Sequence, residues 1–508
     1  MIVFLRARIA LAFVLVLLCS ACAGGAGHAV TKHPAITKNQ PNIVMIMADD
    51  LDEVSTDLTA FPHIKELMSR GTTFGNFVVT DSWCCPSRTS ILLSQYVHSH
   101  GVQTNSDPDG GFDKFLAKGE QKSTIGTWLQ DAGYDTAMVG KFLNAYPGKS
   151  DPTYVPPGWS DWVAGTGQGM YNQFNYRLVV NGVAERHGHQ PQDYLDDVLT
   201  TKADQFITTR PKGKPFFLYL TPLAPHLPAT AAPRYANAFP NAAVPRTAAF
   251  NQADVSGEPR YLSRREKLTP KQVKAQDTTY RQRLRSLLAV DDMIASVQKT
   301  LVETGRAQNT YFVFTSDNGF HMGQHRLSAG KTTPYEDDIK VPMIITGPGI
   351  PAGRKVEDIG STVDLGPTFA DLAGAKVPGT VEGRSLVPLL RGGHPSDWRS
   401  AALVEFYSGH PADDPQGPDC DTALGLGRIP HCPAPPSWAA IRTARYTYVE
   451  YVTGERQLFD RQTDPLELRN VVTSADPRLV KDLAGKLAGL RACSGPTCRT
   501  ADRAWTGA

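Results

Sequence analysis

No basic tract runs anywhere along this chain, and 52 lysines and arginines against 50 aspartates and glutamates leave a formal charge of only +2. That balance argues against nucleic acid or an anionic membrane surface as partner and leaves a small or soluble molecule. Nor does any apolar run span a bilayer comfortably. The run from Ile9 to Leu18 is too short, follows Arg6 and Arg8, and gives way to Ser20, Ala21, Ala23 and Gly24, which is the layout of an export signal over residues 1–22. Ala21-Cys22-Ala23 fits ordinary cleavage and equally a lipidated Cys22, although Cys19 stands where a bacterial lipoprotein signal usually has leucine. The expected product is secreted or attached to the cell envelope, touching membrane at most through a lipid anchor. Internal repeats and long low-complexity segments are also missing, which leaves a globular chain of 508 residues, long enough for one large and one small domain.

Cysteine is sparse as well: eight residues do not make a small scaffold stapled by disulfides. Cys19 and Cys22 fall in the export signal. Cys420, Cys432, Cys493 and Cys498 read as two short-range disulfides, Cys420 with Cys432 and Cys493 with Cys498, with the crossed pairings open. Cys84 and Cys85 remain, in DSWCCPSRTS. Adjacent cysteines bridge only through a strained geometry, so this stretch holds either two buried structural thiols or chemistry.

Residues 23–40 are small, polar and proline-containing, as in a flexible tether. Structure is expected from Asn42, where short apolar runs repeatedly end in a polar or charged residue. NIVMIMA ends in Asp49-Asp50, TAMVG in Lys141, FFLYLTPLAP in His226 and TYFVFTS in Asp317-Asn318. Unbroken apolar runs of this length suit strands buried on both faces, as in a parallel sheet covered by helices. Leu287, Val290, Ile294, Val297 and Leu301 recur at steps of three and four, predicting a helix over Arg285 to Glu303 that ends at Gly305. Another begins at Asp364, with Pro367 in its first turn. An α/β domain is therefore expected over 41–378, with ligands gathered beyond the carboxyl ends of its strands. After Gly379 the pattern changes to a smaller α+β subdomain over 379–508. There HPADDPQGPDC and HCPAPPS precede an antiparallel hairpin in AAIRTARYTYVEYV and RQLFD, and a helix near Pro477 to Ala492 closes the chain.

Asp49, Asp50, Asp317 and Asn318 offer hard oxygen ligands at two strand ends, enough for one divalent cation, Ca²⁺ or Mg²⁺ rather than a softer transition metal. Separately each pair has a plainer reading, a helix N-cap for Asp-Asp and a turn for Asp-Asn-Gly. Arg88, Lys141, His226 and Lys331 are expected on loops or strand ends. Alone each would be an ordinary surface charge, but together with a cation they suit a dianionic tetrahedral group, sulfate or phosphate.

CCPSRTSILLSQ resembles the first signature of the type I sulfatases, whose C-x-P-S-R core is matched by Cys84, Pro86, Ser87 and Arg88. GYDTAMVGKFL resembles their second signature, and PNIVMIMADD, APH, TSDNGFHMGQH, GKTTPYEDDIKVP and DPLELRN follow as family blocks in order. Spacing is most similar to the branch containing N-acetylglucosamine-6-sulfatases. The resemblance implies an alkaline-phosphatase-like fold and an exported hydrolase of sulfate monoesters, aryl or sugar O-sulfates. It implies that a formylglycine-generating enzyme converts Cys84 to Cα-formylglycine, whose hydrate attacks sulfur. Asp49, Asp50, Asp317 and Asn318, with residue 84 itself, would hold Ca²⁺ in preference to Mg²⁺. Arg88 would steady the hydrate, Lys141, His226 and Lys331 would clamp sulfate, and His226 or Lys331 would protonate the leaving alkoxide. Cys85 occupies the unconstrained position. Leu143 departs from many family members, which carry histidine there, and His321 is a candidate replacement or a turn residue without a catalytic role.

Substrate contacts are less defined. Asn144, His321 and His100 are candidates, with His98 beside them, and Trp159, Trp162 and Tyr171 would either stack on a ring or belong to the core. Two other readings stand beside the sulfatase: a phosphonate or phosphate monoester hydrolase on the same scaffold, and a polysaccharide-binding lipoprotein without turnover. The filled catalytic positions favour neither over the sulfatase.

Overall fold

The computed structural model describes residues 40–409 and 435–503. The export signal, the tether, the Pro- and Gly-rich stretch before Trp438 and the Cys420–Cys432 pairing lie outside the described residues. Five parallel strands form the middle of a ten-stranded sheet, in the spatial order Thr310–Ser316, Asn42–Ala48, Phe216–Thr221, Asp135–Gly140, Asp161–Thr166. The first four are buried along their whole length. Alternate residues of one strand serve two cores: Ile43, Met45 and Met47 pack on one face of the sheet, and Val44, Ile46 and Ala48 on the other. That double burial is why the sequence reads as continuous apolar runs with no alternation. Helices supply both layers, and the arrangement is the alkaline-phosphatase-like one.

Short antiparallel strands extend both edges. Met343–Thr346, Thr72–Phe74 and Arg354–Val356 lie beyond Thr310–Ser316, although the last two run parallel to each other. At the other edge Arg177–Val180 and Val183–Arg186 form a hairpin. The helix predicted from Arg285 begins fifteen residues earlier, at Pro270, and runs to Glu303. Thr269 caps it, its hydroxyl accepting the Gln272 amide while the Gln272 side chain accepts from the Thr269 amide. This reciprocal cap, followed by proline at the first helical position, is a start signal that apolar periodicity alone misses. A second correction concerns Arg88, which lies not on a loop but inside the helix Cys84–Leu93. Every residue of that helix is buried, so it carries no amphipathic stripe from which it could be recognised.

A four-stranded antiparallel sheet, Ala401–Phe406, Trp438–Thr443, Tyr446–Tyr451 and Arg456–Asp460, follows, with the helix Pro477–Arg491 packed on it. The expected hairpin is its central and outer part. Cys493 and Cys498 are joined by a disulfide. Among the described residues no helix is long and apolar enough to cross a membrane.

Candidate active site

Parallel pairing brings the strand ends into register: Ala48 lies opposite Ser316 and Gly140 opposite Thr221. The residues that follow, Asp49-Asp50, Asp317-Asn318 and Lys141, therefore emerge on one edge of the sheet. Asp50 turns there in the left-handed region, at φ 66°, which a short polar side chain tolerates. Its amide donates to Asp317 Oδ1 at 3.1 Å. Gly140 sits at φ +125°, and a Cβ placed on it would lie 2.1 Å from the Thr221 carbonyl oxygen. Only glycine lets the two strands stay paired up to the residue before Lys141.

Cys84 opens its helix and points at these strand ends. Its Sγ lies 3.6 Å from Asp49 Oδ1, 3.8 Å from Asp50 Oδ1 and 2.6 Å from Lys331 Nζ. Lys331 Nζ also donates to Asp50 Oδ1 at 2.5 Å, and Lys141 Nζ donates to Asp49 Oδ2 at 2.7 Å. One helical turn on, Arg88 donates through Nε to Asp317 Oδ2 and through Nη1 to the Lys141 carbonyl, both at 2.7 Å. Asn318 Nδ2 donates to Asp50 Oδ1 at 2.7 Å. His226 approaches from the loop after Phe216–Thr221, with Nε2 3.6 Å from Asp50 Oδ2. Its Nδ1 lies 2.6 Å from the Leu227 carbonyl, which can only accept, so Nδ1 carries a proton and Nε2 faces the cluster.

Three carboxylates and three fixed cations thus share one almost dry volume: Asp49, Asp317, Arg88 and Lys141 have no exposed surface, and Asp50 has 1%. Burial pushes the Asp49 carboxyl up, but the Lys141 ammonium, with His226 and Arg88, outweighs it and holds the group well below the usual carboxylate range. Asp50 is likewise pushed up by burial and held low by Lys331 and His226. Burial pulls Lys331 down, and the Asp50 carboxylate reverses this and raises it above a free lysine. Burial pushes the Cys84 thiol far up, so as a cysteine it stays protonated and a poor nucleophile.

Two buried atoms in the cluster have no hydrogen-bond partner, Asn318 Oδ1 and Arg88 Nη2. A lone carbonyl acceptor among carboxylates fits a hard cation, and ligand atoms of Asp49, Asp50, Cys84 and His226 lie within 4.8 Å of one another. The unused Arg88 donor fits an added oxygen at residue 84.

The remaining candidates lie elsewhere. His100 is fully buried and satisfied inside the protein, its Nδ1 accepting the Val102 amide at 3.1 Å and its Nε2 bonded to Ser90 Oγ at 3.0 Å. It supports the helix Cys84–Leu93 from behind, and the expected substrate contact is not formed by this placement. His98 is tied to Glu405 and the Cys493 carbonyl. His321 is anchored to Asp338, which also accepts from Thr333, so it braces the loop that carries Lys331. Asn144 is half-buried, with Oδ1 unpartnered. Leu143, Trp159 and Trp162 belong to the core, whereas the Tyr171 ring lies 4.8 Å from the His226 ring and 5.4 Å from Lys141 Nζ. Cys85 packs in the core with its amide held by Asn105.

Arg283 was not anticipated. Its Nη2 donates to the Asp50 carbonyl at 2.5 Å and its Nη1 to the Pro225 carbonyl at 3.1 Å, so it ties the Asp49-Asp50 turn to the His226 loop. Stepping back four from Leu287 along the apolar stripe lands on this arginine, and a charge on a buried stripe is the signal that marks it.

A family model described as Sulfatase matches residues 41–375. The chain belongs to the sulfatase family. It is a sulfuric ester hydrolase. N-acetylglucosamine-6-sulfatase from Capra hircus is 36% identical over 481 residues, which cover 91% of this sulfatase and 85% of that protein. A solved structure described as a complex with its substrate D-glucosamine-2-N,6-O-disulfate matches with a TM-score of 0.70 at 24% identity, covering 88% of this chain and 97% of that one. A phosphonate monoester hydrolase from Silicibacter pomeroyi matches with a TM-score of 0.65 at 25% identity, covering 88% and 93%. These two structural likenesses speak to the fold.

Proposed function

We propose that this sulfatase is an exported, Ca²⁺-dependent enzyme that removes a 6-O-sulfate from N-acetylglucosamine or a related sugar, with Cys84 converted to Cα-formylglycine. The observation that carries the reading is the convergence of Asp49, Asp50 and Lys331 on one side-chain atom, Cys84 Sγ, whose thiol is inert as it stands. The relatives' name supports the sugar, and a disulfide between Cys493 and Cys498 suits an oxidising compartment.

Asp49, Asp50, Asp317 and Asn318 would hold the cation, with the Asn318 carbonyl as its neutral ligand. Bound there, Ca²⁺ would supply Lewis-acid polarisation, and formylglycine a hydrated aldehyde as oxygen nucleophile. Arg88 would steady the oxygens at residue 84 through its unpartnered Nη2 and fixes the Lys141 backbone through Nη1. Lys141 and Lys331 keep their protons and present positive charge to the sulfate oxygens as negative charge builds up in the transition state. His226 is the most exposed member, with 22% of its side chain open, and so stands where the alcohol departs. Burial lowers its imidazolium below an ordinary histidine even though Asp50 and Asp49 favour the charged form, so a proton taken up at Nε2 is readily given to the leaving alkoxide.

The direct test is the peptide mass of the Asp81–Arg88 region from protein matured in its native host, together with turnover. The mass loss of thiol-to-aldehyde conversion is expected at Cys84. Cys84→Ser should lose multiple turnover, and wild-type rates in that variant would overturn the role. Paired rates on an aryl sulfate and an aryl phosphate should favour the sulfate, and faster phosphate hydrolysis would transfer the protein to the phosphonate or phosphate ester class.

A further inference from the structure

The hairpin Arg177–Val180 and Val183–Arg186 ends the large sheet with an unusual pairing. Arg177 stands directly opposite Arg186, and Thr166 directly opposite Arg177, so the three side chains form one row across three neighbouring strands. Like charges placed directly opposite each other repel. Both arginines are exposed, and among the described residues neither has a carboxylate partner. The nearby acids are engaged: Glu185 takes the Lys202 ammonium at 3.1 Å and lies 3.7 Å from His187 Nε2, and Asp193 accepts the Gln190 amide at 2.9 Å. The two arginines line a cavity of about 340 Å³ together with Asn175 and His187, whose ring stacks on Tyr176 at 4.8 Å.

This cavity lies at the same end of the sheet as the Asp49 cluster. Thr166 is the last residue of the strand next to Asp135–Gly140, whose end leads into Lys141. At about 4.8 Å per strand, Arg177 lies two spacings and Arg186 three from that strand, roughly 10 and 14 Å. The intervening surface is the turn Gln168–Asn172, which has Gly169 on the cavity and Tyr171 against His226.

We propose that Arg177 and Arg186 form an anion subsite for a sulfate or carboxylate on a neighbouring sugar of a polyanionic saccharide whose scissile sulfate sits at residue 84. Paired guanidinium forks match sulfate and carboxylate oxygens bidentately, and a bound anion removes their mutual repulsion. The near-neutral charge of the whole chain conceals this local dication. The subsite rests on the sulfatase reading for what it serves, and binding tests it separately.

Arg177→Ala/Arg186→Ala removes exposed, unpaired charge and should fold normally. Its kcat/KM on a small aryl sulfate should stay within about twofold, while KM on a size-defined heparin-type oligosaccharide rises about tenfold or more. On a Cys84→Ala background, the double variant should lose affinity for that oligosaccharide and most of its salt dependence, with Arg177→Lys/Arg186→Lys in between. Unchanged oligosaccharide affinity would overturn the subsite, as would an equal loss on the aryl sulfate or a loss confined to inorganic sulfate. Charge-dependent binding by a protein that hydrolyses no sulfate ester would uphold the subsite and sink the catalytic reading. Turnover of aryl sulfate with indifferent binding would do the reverse.

Discussion

Lys141→Met isolates the electrostatics of the buried cluster around Asp49. The ammonium lies 2.7 Å from Asp49 Oδ2, and neither side chain has exposed surface. Methionine keeps the volume and removes the charge, so Asp49 is left buried with its next cation, Arg88 Nη2, 3.7 Å away. Breaking a buried pair in this way costs about 3–5 kcal/mol, and the surviving arginine argues for the lower figure. With about 2.1 cal/mol/K of unfolding entropy per residue, a chain of this size converts 3 kcal/mol into only about 3 °C of Tm. Chemical denaturation in chelator is therefore the sharper assay. Adding Ca²⁺ should stabilise Lys141→Met more than the wild type, because the cation enters a site with one more uncompensated negative charge. Asp49→Asn/Lys141→Met should recover most of the lost stability without recovering activity. A double variant no more stable than Lys141→Met would refute the reasoning, since the penalty would then come from packing and not from the orphaned charge.

Gly140→Ala brings a Cβ to 2.1 Å from Thr221 at a left-handed φ of 125°, so the two central strands must separate. A loss of about 2–4 kcal/mol is expected in equilibrium unfolding, with a fall in kcat as Lys141 shifts. Glu258 offers a pH test away from the catalytic cluster: burial pushes its carboxyl from 4.5 to about 7, against the hydrogen bonds of Gln457 and Tyr335. Its folded form holds the proton more tightly than its unfolded form, so this contribution is full below pH 4.5 and is lost as pH rises to about 7. At 1.36 kcal/mol per pH unit the loss is about 3 kcal/mol. The stability of Glu258→Gln relative to wild type should therefore climb by that amount between pH 4.5 and 8 in denaturant titrations. A flat difference would show that Glu258 is already ionised.

The parallel core was legible because strands buried on both faces leave unbroken apolar runs, and each run ended in a residue that joins one cluster at the strand ends. The helix of Arg88 was not, because complete burial erases the periodicity by which helices are read. The edge strands Thr72–Phe74 and Arg354–Val356 are three residues long, too short for any alternation to register. Asn181-Gly182, at φ 48° and 83°, is a local hairpin signal that would have located the arginine-bearing strands. Arg283 required the helix to be extended backward past its apolar half. His100 shows the opposite limit: closeness in sequence to a signature places a residue behind the helix Cys84–Leu93 as readily as in front of it.

The burial of Cys84 also sets a schedule for making the enzyme. Cys84 and the next four residues are all buried, and Ser87 Oγ is bonded to the Asp317 carbonyl more than two hundred residues along the chain. A modifying enzyme needs this segment extended and accessible. The conversion proposed for Cys84 therefore belongs to the unfolded chain, before the strand of Asp317 has been laid down. Folding closes that window, so a molecule that misses it is sealed with its thiol inside, and specific activity becomes a record of how maturation kept pace with folding.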